Sequence, residues 1–277
     1  MAALLALSGA LLWGVGDFLG GLAARRLAVL TVLAISQGIG LAGVAAWAAF
    51  SGDPFPGTVE LLPAAGAGIA GLVGLAALYR GMAVGAMGIV APISAASPVV
   101  PLTVDAAQGV VPDPLQWLGA GLVLTGIAIL SREPSSEDGS RVAAGVGLAL
   151  VAALAFGAFF VGLDAAADES VPWAVVAVRT TSVLAALVAL ALTRGSLRAP
   201  RGLLLVLVGI GVFDTCANVV FAAASTEGAI GIVAVLSSLY PVVTVALAWI
   251  VLHERLNATR RSAGVLALAG AALVAAG

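Results

Sequence analysis

The chain has 277 residues, of which 62% are hydrophobic and only 9% are charged, and its formal net charge is −2. Globular domains carry about 25% charged residues, so this composition excludes a soluble fold and indicates an integral membrane protein. We expect membrane lipids, and no nucleic acid, among its partners. The single cysteine, Cys216, excludes an internal disulfide, and we expect it to pack as a small apolar residue.

A membrane-spanning helix needs about 20 apolar residues, and turn residues divide the chain into ten such segments. They use nearly the whole sequence, so only short connections remain and no soluble domain is expected. The predicted fold class is all-α integral membrane, with ten transmembrane helices at 2–23, 30–50, 61–80, 87–109, 115–131, 142–165, 172–193, 202–224, 229–252 and 261–276.

The arginines predict the orientation of these spans. All twelve lysine-or-arginine positions hold arginine, and eleven of them lie at alternate connections. Short loops rich in arginine stay in the cytoplasm, so we expect both termini outside a cytoplasmic (inner) membrane. The arginines of the five predicted cytoplasmic connections are Arg25, Arg26, Arg80, Arg132, Arg141, Arg194, Arg198, Arg201, Arg255, Arg260 and Arg261.

In the first span, Asp17 and Trp13 are candidate substrate-binding or coupling residues. A charge at bilayer depth costs about 2.5–3.5 kcal/mol and is by default a functional candidate with a partner. Desolvation favours the neutral acid and a nearby cation favours the carboxylate, so Asp17 could load and release a proton or could form a fixed ion pair. Trp13 could form an aromatic wall for a ring or a cation, or it could simply pack.

The fourth span contains Ser94, Ser97 and Pro98. Proline removes a backbone donor and bends a helix, so Pro98 is predicted to be a hinge, with a passive kink as the alternative. The two serines could bind substrate, or they could satisfy the carbonyls that the kink frees. Asp105, near the outer end of this span, is expected to be solvated.

The seventh and eighth spans contain Arg179, Asp214 and Asn218. Arg179 could pair with an aspartate, or its planar guanidinium could hold a carboxylate or phosphate of the substrate. Asp214 is open to the same two interpretations as Asp17, a proton carrier or a fixed ion pair. Asn218 lies one turn after Asp214 on the same helix face.

The ninth span repeats the fourth. Residues 85–100, GAMGIVAPISAASPVV, return 143 positions later as GAIGIVAVLSSLYPVV, with ten of sixteen residues identical. The second copy supplies Ser237, Tyr240 and Pro241. Pro241 is the second predicted hinge, with a passive kink as the alternative. The hydroxyls of Ser237 and Tyr240 could bind substrate or satisfy the carbonyls that the kink frees.

Each copy has five spans, which is an odd number, so the second copy should enter the membrane in the opposite sense. Inverted repeats of this kind can alternate between inward-open and outward-open states. We predict a first repeat at 1–131, a cytoplasmic linker at 132–141 and a second repeat at 142–277. One chain holds both repeats, so a monomer should suffice. The buried charges are not duplicated, because the counterparts of Asp17, Arg179 and Asp214 are Phe160, Ser36 and Gly71.

Several motifs together resemble the EamA-type branch of the drug/metabolite transporter superfamily over essentially the full length. They are WGVGDFLGGLAARR in the first span, the GIVA run that ends in PVV in each half, LHERLN at the end of the ninth span and the glycine-spaced fifth and tenth spans. The resemblance implies a carrier of metabolites, amino acids, nucleotide-like compounds or drugs, often outward. It places the cavity among the third, fourth, eighth and ninth helices, helped by the first and sixth. Glu254 matches the family's glutamate at the end of the ninth helix, but the first copy has Val111 there.

The predicted function is secondary active transport of a small organic metabolite or drug by alternating access, in the export direction, with the proton as a candidate coupling ion. The alternatives are a sugar or lipid-linked head-group flippase of the same fold and a non-transporting scaffold. A chain with one histidine and one cysteine offers no metal set and no nucleophile with a base, so we predict no enzyme, no catalytic residue, no metal site and no cofactor. The candidate substrate-binding or coupling residues are Trp13, Asp17, Ser94, Ser97, Arg179, Asp214, Asn218, Ser237 and Tyr240.

Overall fold

The computed structural model describes residues 1–84, 94–130 and 139–252 together with scattered positions between 259 and 276. Within these residues the regular structure is entirely helical. The helices are α1 (Ala2–Ala24), α2 (Val29–Ser51), α3 (Leu62–Val84), α4 (Val99–Ala107), α5 (Pro114–Leu130), α6 (Gly139–Ala167), α7 (Val171–Leu192), α8 (Arg201–Ser225), α9 (Ile230–Ser237) and α10 (Tyr240–Leu252).

Nine of the ten predicted spans contain a helix in the described part of the chain. Half of the tenth, 261–276, falls outside it, as do most of the predicted linker 132–141 and the residue Glu254. Among the described residues seven stretches are long and apolar enough to cross a membrane, namely Ala2–Ala24, Val29–Ser51, Leu62–Ala83, Gly147–Ala167, Val171–Leu192, Arg201–Ser225 and Ile230–Val251.

Apolar side chains cover the outside of the bundle and polar ones lie within it. Phe50 is 89% exposed and Leu205 is 82% exposed, whereas Arg179 is only 2% exposed. A water-soluble protein would show the reverse, because burying apolar area is the main driving force for its folding. The bundle therefore suits a lipid environment.

Local sequence signals explain several helix ends. Asp113 begins α5 with a capping box: its Oδ1 accepts from the backbone N–H of Leu115 and of Gln116, at 2.7 and 2.9 Å, and its own N–H donates to Gln116 Oε1. At the start of α7, Ser170 Oγ accepts from the N–H of Trp173. Gly52 ends α2 with a φ of +81°, a left-handed conformation that glycine adopts without strain.

The two sequence copies pack through reciprocal contacts. Helix α1 packs on α8, and their counterparts α6 and α3 pack on each other. A Cβ on Gly14 would meet Val243 and the carbonyl of Tyr240, and a Cβ on its counterpart Gly157 would meet Val100 and the carbonyl of Ser97. Each residue of the Gly14 contact lies 143 positions from its equivalent in the Gly157 contact.

Both proline-containing spans are interrupted at matching positions. Residues 95–98 form turns before α4 begins, and the ninth span is interrupted between Ser237, where α9 ends, and Tyr240, where α10 begins. Pro98 is the last of the turn residues before α4 and Pro241 is the second residue of α10, and neither can donate a backbone hydrogen bond. The backbone is irregular at both prolines, and their role as hinges stays a prediction.

The connections form two groups. The loop between α2 and α3 contacts the start of α7, where Phe55 and Trp173 stack edge to face at 5.2 Å and Trp173 Nε1 donates to Asp53 O at 3.1 Å. At the other end of α2, Thr31 Oγ1 donates to Ser196 O in the connection before α8. The first group joins two connections predicted to be outside and the second joins residues predicted to lie at the cytoplasmic side.

Candidate functional site

A cavity lies in the middle of the bundle, between the two copies. It encloses about 480 Å³ of empty space, a volume that includes open space at its mouth. Helices α1, α2, α3, α6, α7 and α8 and the first residue of α10 surround it. The lining residues are Trp13, Asp17, Gln37, Gly71, Leu75, Phe156, Phe159, Phe160, Val178, Arg179, Ser182, Asp214, Asn218 and Tyr240.

A buried ion pair lies at this cavity. Arg179 Nη1 on α7 donates to Asp214 Oδ2 on α8 at 2.6 Å and also to Gln37 Oε1 on α2. Gln37 Nε2 in turn donates to Asp214 Oδ2 at 2.9 Å. The three side chains thus hold three helices together. Removing one member of a buried pair typically costs 3–5 kcal/mol, because it leaves the other charge uncompensated.

Arg179 uses only part of its hydrogen-bonding capacity. Its Nε and Nη2 are covered and have no hydrogen-bond partner among the described residues. These two nitrogens share one edge of the planar guanidinium, the arrangement that binds both oxygens of a carboxylate. Leaving a buried donor unpaired costs about 1–3 kcal/mol, and more for a charged group, so this edge of Arg179 is unfavourable as it stands.

Asp17 brings a second carboxylate to the same cavity. It is 7% exposed, and no side chain of the described residues donates a hydrogen bond to it. The preceding residue, Gly16, lies close to the backbone of Asp214, so α1 and α8 approach each other here without a side chain between them. Two carboxylates and one guanidinium line the cavity, which leaves a net charge of −1 when all three are ionised.

Aromatic rings form much of the remaining lining. Trp13 lies 5.7 Å from Phe160 and 6.3 Å from Phe159, measured between ring centroids, and its Nε1 donates to Asn218 Oδ1 at 3.1 Å. Phe160 stacks on Phe221 at 4.7 Å. Such rings offer apolar surface and, at their faces, an attractive site for cations.

The comparisons with known proteins agree with this architecture. A family model described as the EamA-like transporter family matches residues 1–132 and again residues 143–276. The chain belongs to the EamA-like transporter family. It is therefore a multi-pass membrane protein from a family of small-molecule transporters, which is not a family of enzymes. The resemblance seen in the sequence motifs is confirmed.

This EamA-like transporter also shares its fold with solved structures. One of them, described as "Crystal structure of protein", superimposes with a TM-score of 0.78 over 98% of this chain and 95% of that chain, at 18% sequence identity. No curated protein matches the sequence.

Six of the nine residues proposed from the sequence line the cavity of the EamA-like transporter, and three do not. The six are Trp13, Asp17, Arg179, Asp214, Asn218 and Tyr240. Ser94 lies behind the lining and shares a 2.7 Å hydrogen bond with the hydroxyl of Tyr240, which joins the two interrupted spans. Ser237 Oγ donates to Ala6 O, and Ser97 Oγ is buried without a partner among the described residues.

Two expectations from the sequence are wrong. Asp105 was expected to be solvated, but it is 3% exposed and its Oδ2 accepts from the N–H of Gly231 at 2.7 Å, near the start of α9. Its burial follows from packing between α4 and α9, which sequence position alone does not reveal. Cys216 was expected to pack as a small apolar residue, but it is exposed on the bundle surface because α8 turns Asp214 and Asn218 inward instead.

Sequence reasoning missed Gln37, Phe159 and Ser182. Gln37 carries no charge, so the search for intramembrane charges passed over it, although an amide in the middle of an apolar span is itself a signal. Ser182 lies one turn beyond Arg179 and donates to Gly68 O at 2.7 Å. Phe159 has no polar atom, and it reaches the cavity through the packing of α6 against α3, where its ring contacts Trp13 edge to face.

Proposed function

We propose that this EamA-like transporter is a secondary active carrier that moves a small organic solute across the cytoplasmic membrane by alternating access, in the export direction. The observation that carries this proposal is the cavity with two carboxylates and a guanidinium, enclosed within an apolar bundle. Charged groups are unfavourable in such surroundings and are retained where they serve a solute or ion pathway.

Alternating access is supported by the reciprocal contacts between the two copies. If the halves are inverted repeats, as we propose, the contact of Gly14 with α10 and that of Gly157 with α4 exchange roles when the conformation changes. The interruptions at residues 95–98 and between Ser237 and Tyr240 give each contacting span a place to bend. The small residues at the contacts let the helices slide past one another without side chains interlocking.

Asp17 is the residue that we propose couples transport to protons. Asp214 is occupied by Arg179 and Gln37, whereas Asp17 has no such donors among the described residues and lies on the same cavity. A carboxylate without a fixed counter-ion in apolar surroundings readily takes up a proton. Exchange of that proton against the solute would drive export.

The test is a solute screen with purified protein in liposomes. Counterflow of radiolabelled amino acids, nucleosides, sugars and organic cations is measured first, and export driven by an imposed pH gradient is then measured for every solute that exchanges. Asp17→Asn should lose the response to the gradient while it still exchanges solute at saturating solute concentration. The exposed Glu227 supplies the matched control, since Glu227→Gln makes the same chemical change outside the cavity.

The outcomes separate transport from coupling. If no solute shows counterflow, and replacement of Asp17 or Asp214 alters only stability, the protein is not a carrier. If Asp17→Asn keeps an unchanged response to the gradient, Asp17 is not the coupling residue.

A further inference from the structure

Asp105 is a buried carboxylate outside the cavity, and it joins the fourth span to the ninth. It is 3% exposed and has no basic partner within the described part of the chain. Its Oδ2 accepts from the N–H of Gly231 at 2.7 Å. Asp105 lies near the end of α4 and Gly231 lies in the first turn of α9, so this hydrogen bond ties the first copy to the second.

The carboxylate supplies a cap that α9 lacks in its own sequence. The first N–H groups of a helix have no partner within the helix, and Ala229, which precedes α9, has no side-chain acceptor. A charged acceptor makes a stronger hydrogen bond than a neutral one, and a helix N-terminus favours negative charge. A Cβ on Gly231 would lie 2.6 Å from Asp105 Oδ2 and 2.7 Å from Leu102 Cδ2. The close approach of α4 to α9 therefore requires the glycine.

This contact lies at the end of the bundle that is predicted to be outside. In the turn before α9, a Cβ on Gly228 would lie 3.2 Å from Cβ of Ala2, at the start of α1. Leu102, one turn before the carboxylate, belongs to the same apolar core as Phe160 and Phe221, whose rings stack at 4.7 Å beside the cavity. Apolar side chains thus extend from the cavity to the contact, and this end is closed in the present conformation.

The repeat does not duplicate this hydrogen bond. The positions 143 residues from Asp105 and Gly231 are Ala248 and Gly88. The glycine is kept, but alanine has no acceptor in its side chain. Inverted repeats exchange equivalent contacts when one end opens and the other closes, so closure at the opposite end would bring residue 248 to residue 88 without a charged acceptor. The two closures therefore differ by one charge-assisted hydrogen bond.

We propose that Asp105 is a latch on the outer end of the carrier, and that its absence from the second copy makes the outward-closed conformation the resting state. This inference rests on the proposed function, because it needs the two copies to exchange conformations. Asp105 is a positioning residue, since it acts through the separation of α4 from α9 and not by touching the solute. A hydrogen bond to a charged group shifts an equilibrium by at least about tenfold.

Distances between spin labels in the full-length protein test the latch. In a Cys216→Ala background, Gln108→Cys and Glu227→Cys place labels at exposed positions beside the end of α4 and the start of α9. Pulsed electron paramagnetic resonance in liposomes then measures their separation, and with Asp105 present one short distance should predominate. Asp105→Ala should add a second, longer distance and raise the open population at least about tenfold. Asp105→Asn should raise it less, because the amide oxygen still accepts from the N–H but carries no charge.

Moving the latch to the other end gives a sharper prediction. Ala248→Asp places a carboxylate at the repeat-related position, so Asp105→Ala combined with Ala248→Asp should make the longer outer distance predominate. Asp168→Ala is the matched control, since it removes an exposed carboxylate at the same end of the bundle and should leave the distances unchanged. The thermal unfolding midpoint in detergent shows that each variant is folded.

Three results would overturn the inference: an unchanged short distance in folded Asp105→Ala and Asp105→Asn, an equal lengthening in Asp168→Ala, or a folded double variant that stays closed at the outer end. A lower unfolding midpoint with unchanged distances would give Asp105 a structural role only, and it counts as the first of these results. Failure of the proposed function is a separate outcome. Solute counterflow together with unchanged distances would leave the protein a carrier and would remove only the latch.

Discussion

At the scale of single residues, the site depends on how buried polar groups share partners. The sequence already marks Asp17, Arg179 and Asp214, because a charge inside an apolar span stands out. It does not indicate which aspartate pairs with the arginine, since that depends on the mutual rotation of α1, α7 and α8. In the structure Asp214 takes the arginine and Asp17 stays without a counter-ion. Gln37, which has no charge, completes the network as acceptor from Arg179 and donor to Asp214.

Gln37→Leu should therefore impair both stability and transport. The change removes the second acceptor of Arg179 and a donor to Asp214, and unsatisfied buried polar groups cost about 1–3 kcal/mol each. We expect a lower thermal unfolding midpoint in detergent and at least a tenfold fall in counterflow. Gln108 is exposed near the end of α4, so Gln108→Leu is the matched control. Equal behaviour of the two variants would show that the amide is dispensable.

At the scale of helices, the sequence predicts the position and type of most elements. The spans follow from apolar length, the interruptions at Pro98 and Pro241 follow from proline chemistry, and the repeat offset follows from self-similarity. The pairing of α1 with α8 and of α3 with α6 does not, because glycines occur in nearly every span. Only the structure shows which glycines meet the backbone of the other half, among them Gly14 and Gly157 and also Gly68, Gly162 and Gly211.

Gly14→Val and Gly157→Val should destabilise the protein to a similar extent. A Cβ at Gly14 would lie 2.8 Å from Tyr240 O, and one at Gly157 would lie 2.9 Å from Ser97 O. Overpacking of this kind costs about 1–3 kcal/mol. Thermal unfolding in detergent measures the effect, with Gly66→Ala as control because an added Cβ there meets nothing within 4 Å. A stable Gly14→Val variant would contradict the close approach of α1 and α10.

At the scale of the whole molecule, the arginine distribution assigns each connection to one side of the membrane. The contacts between loops join connections that it assigns to the same side. The loop with Phe55 meets Trp173, and the start of α2 meets the connection with Ser196. The two groups of connections are the ones that the alternation of arginines assigns to opposite sides of the membrane. Which side is cytoplasmic is decided by the arginines alone, since helix packing is the same in either orientation.

Cysteine labelling in intact cells tests this orientation. In a Cys216→Ala background, Thr58→Cys should react with a membrane-impermeant maleimide, because its loop is predicted to face outward. Ser196→Cys should react only after the membrane is permeabilised. Both positions are exposed, so poor access does not explain a negative result. The opposite labelling pattern would place the termini in the cytoplasm.

The position of Cys216 has a practical consequence for following the motions of this carrier. The chain has one thiol, and it projects from the outer surface of α8 while Asp214 and Asn218, on the same helix, line the cavity. A fluorophore or spin label attached to Cys216 would move with α8, which carries Asp214 of the ion pair. The label would stay outside the cavity. The native chain thus provides a single spectroscopic reporter, and movement of α8 could be followed in real time without first engineering a cysteine-free background.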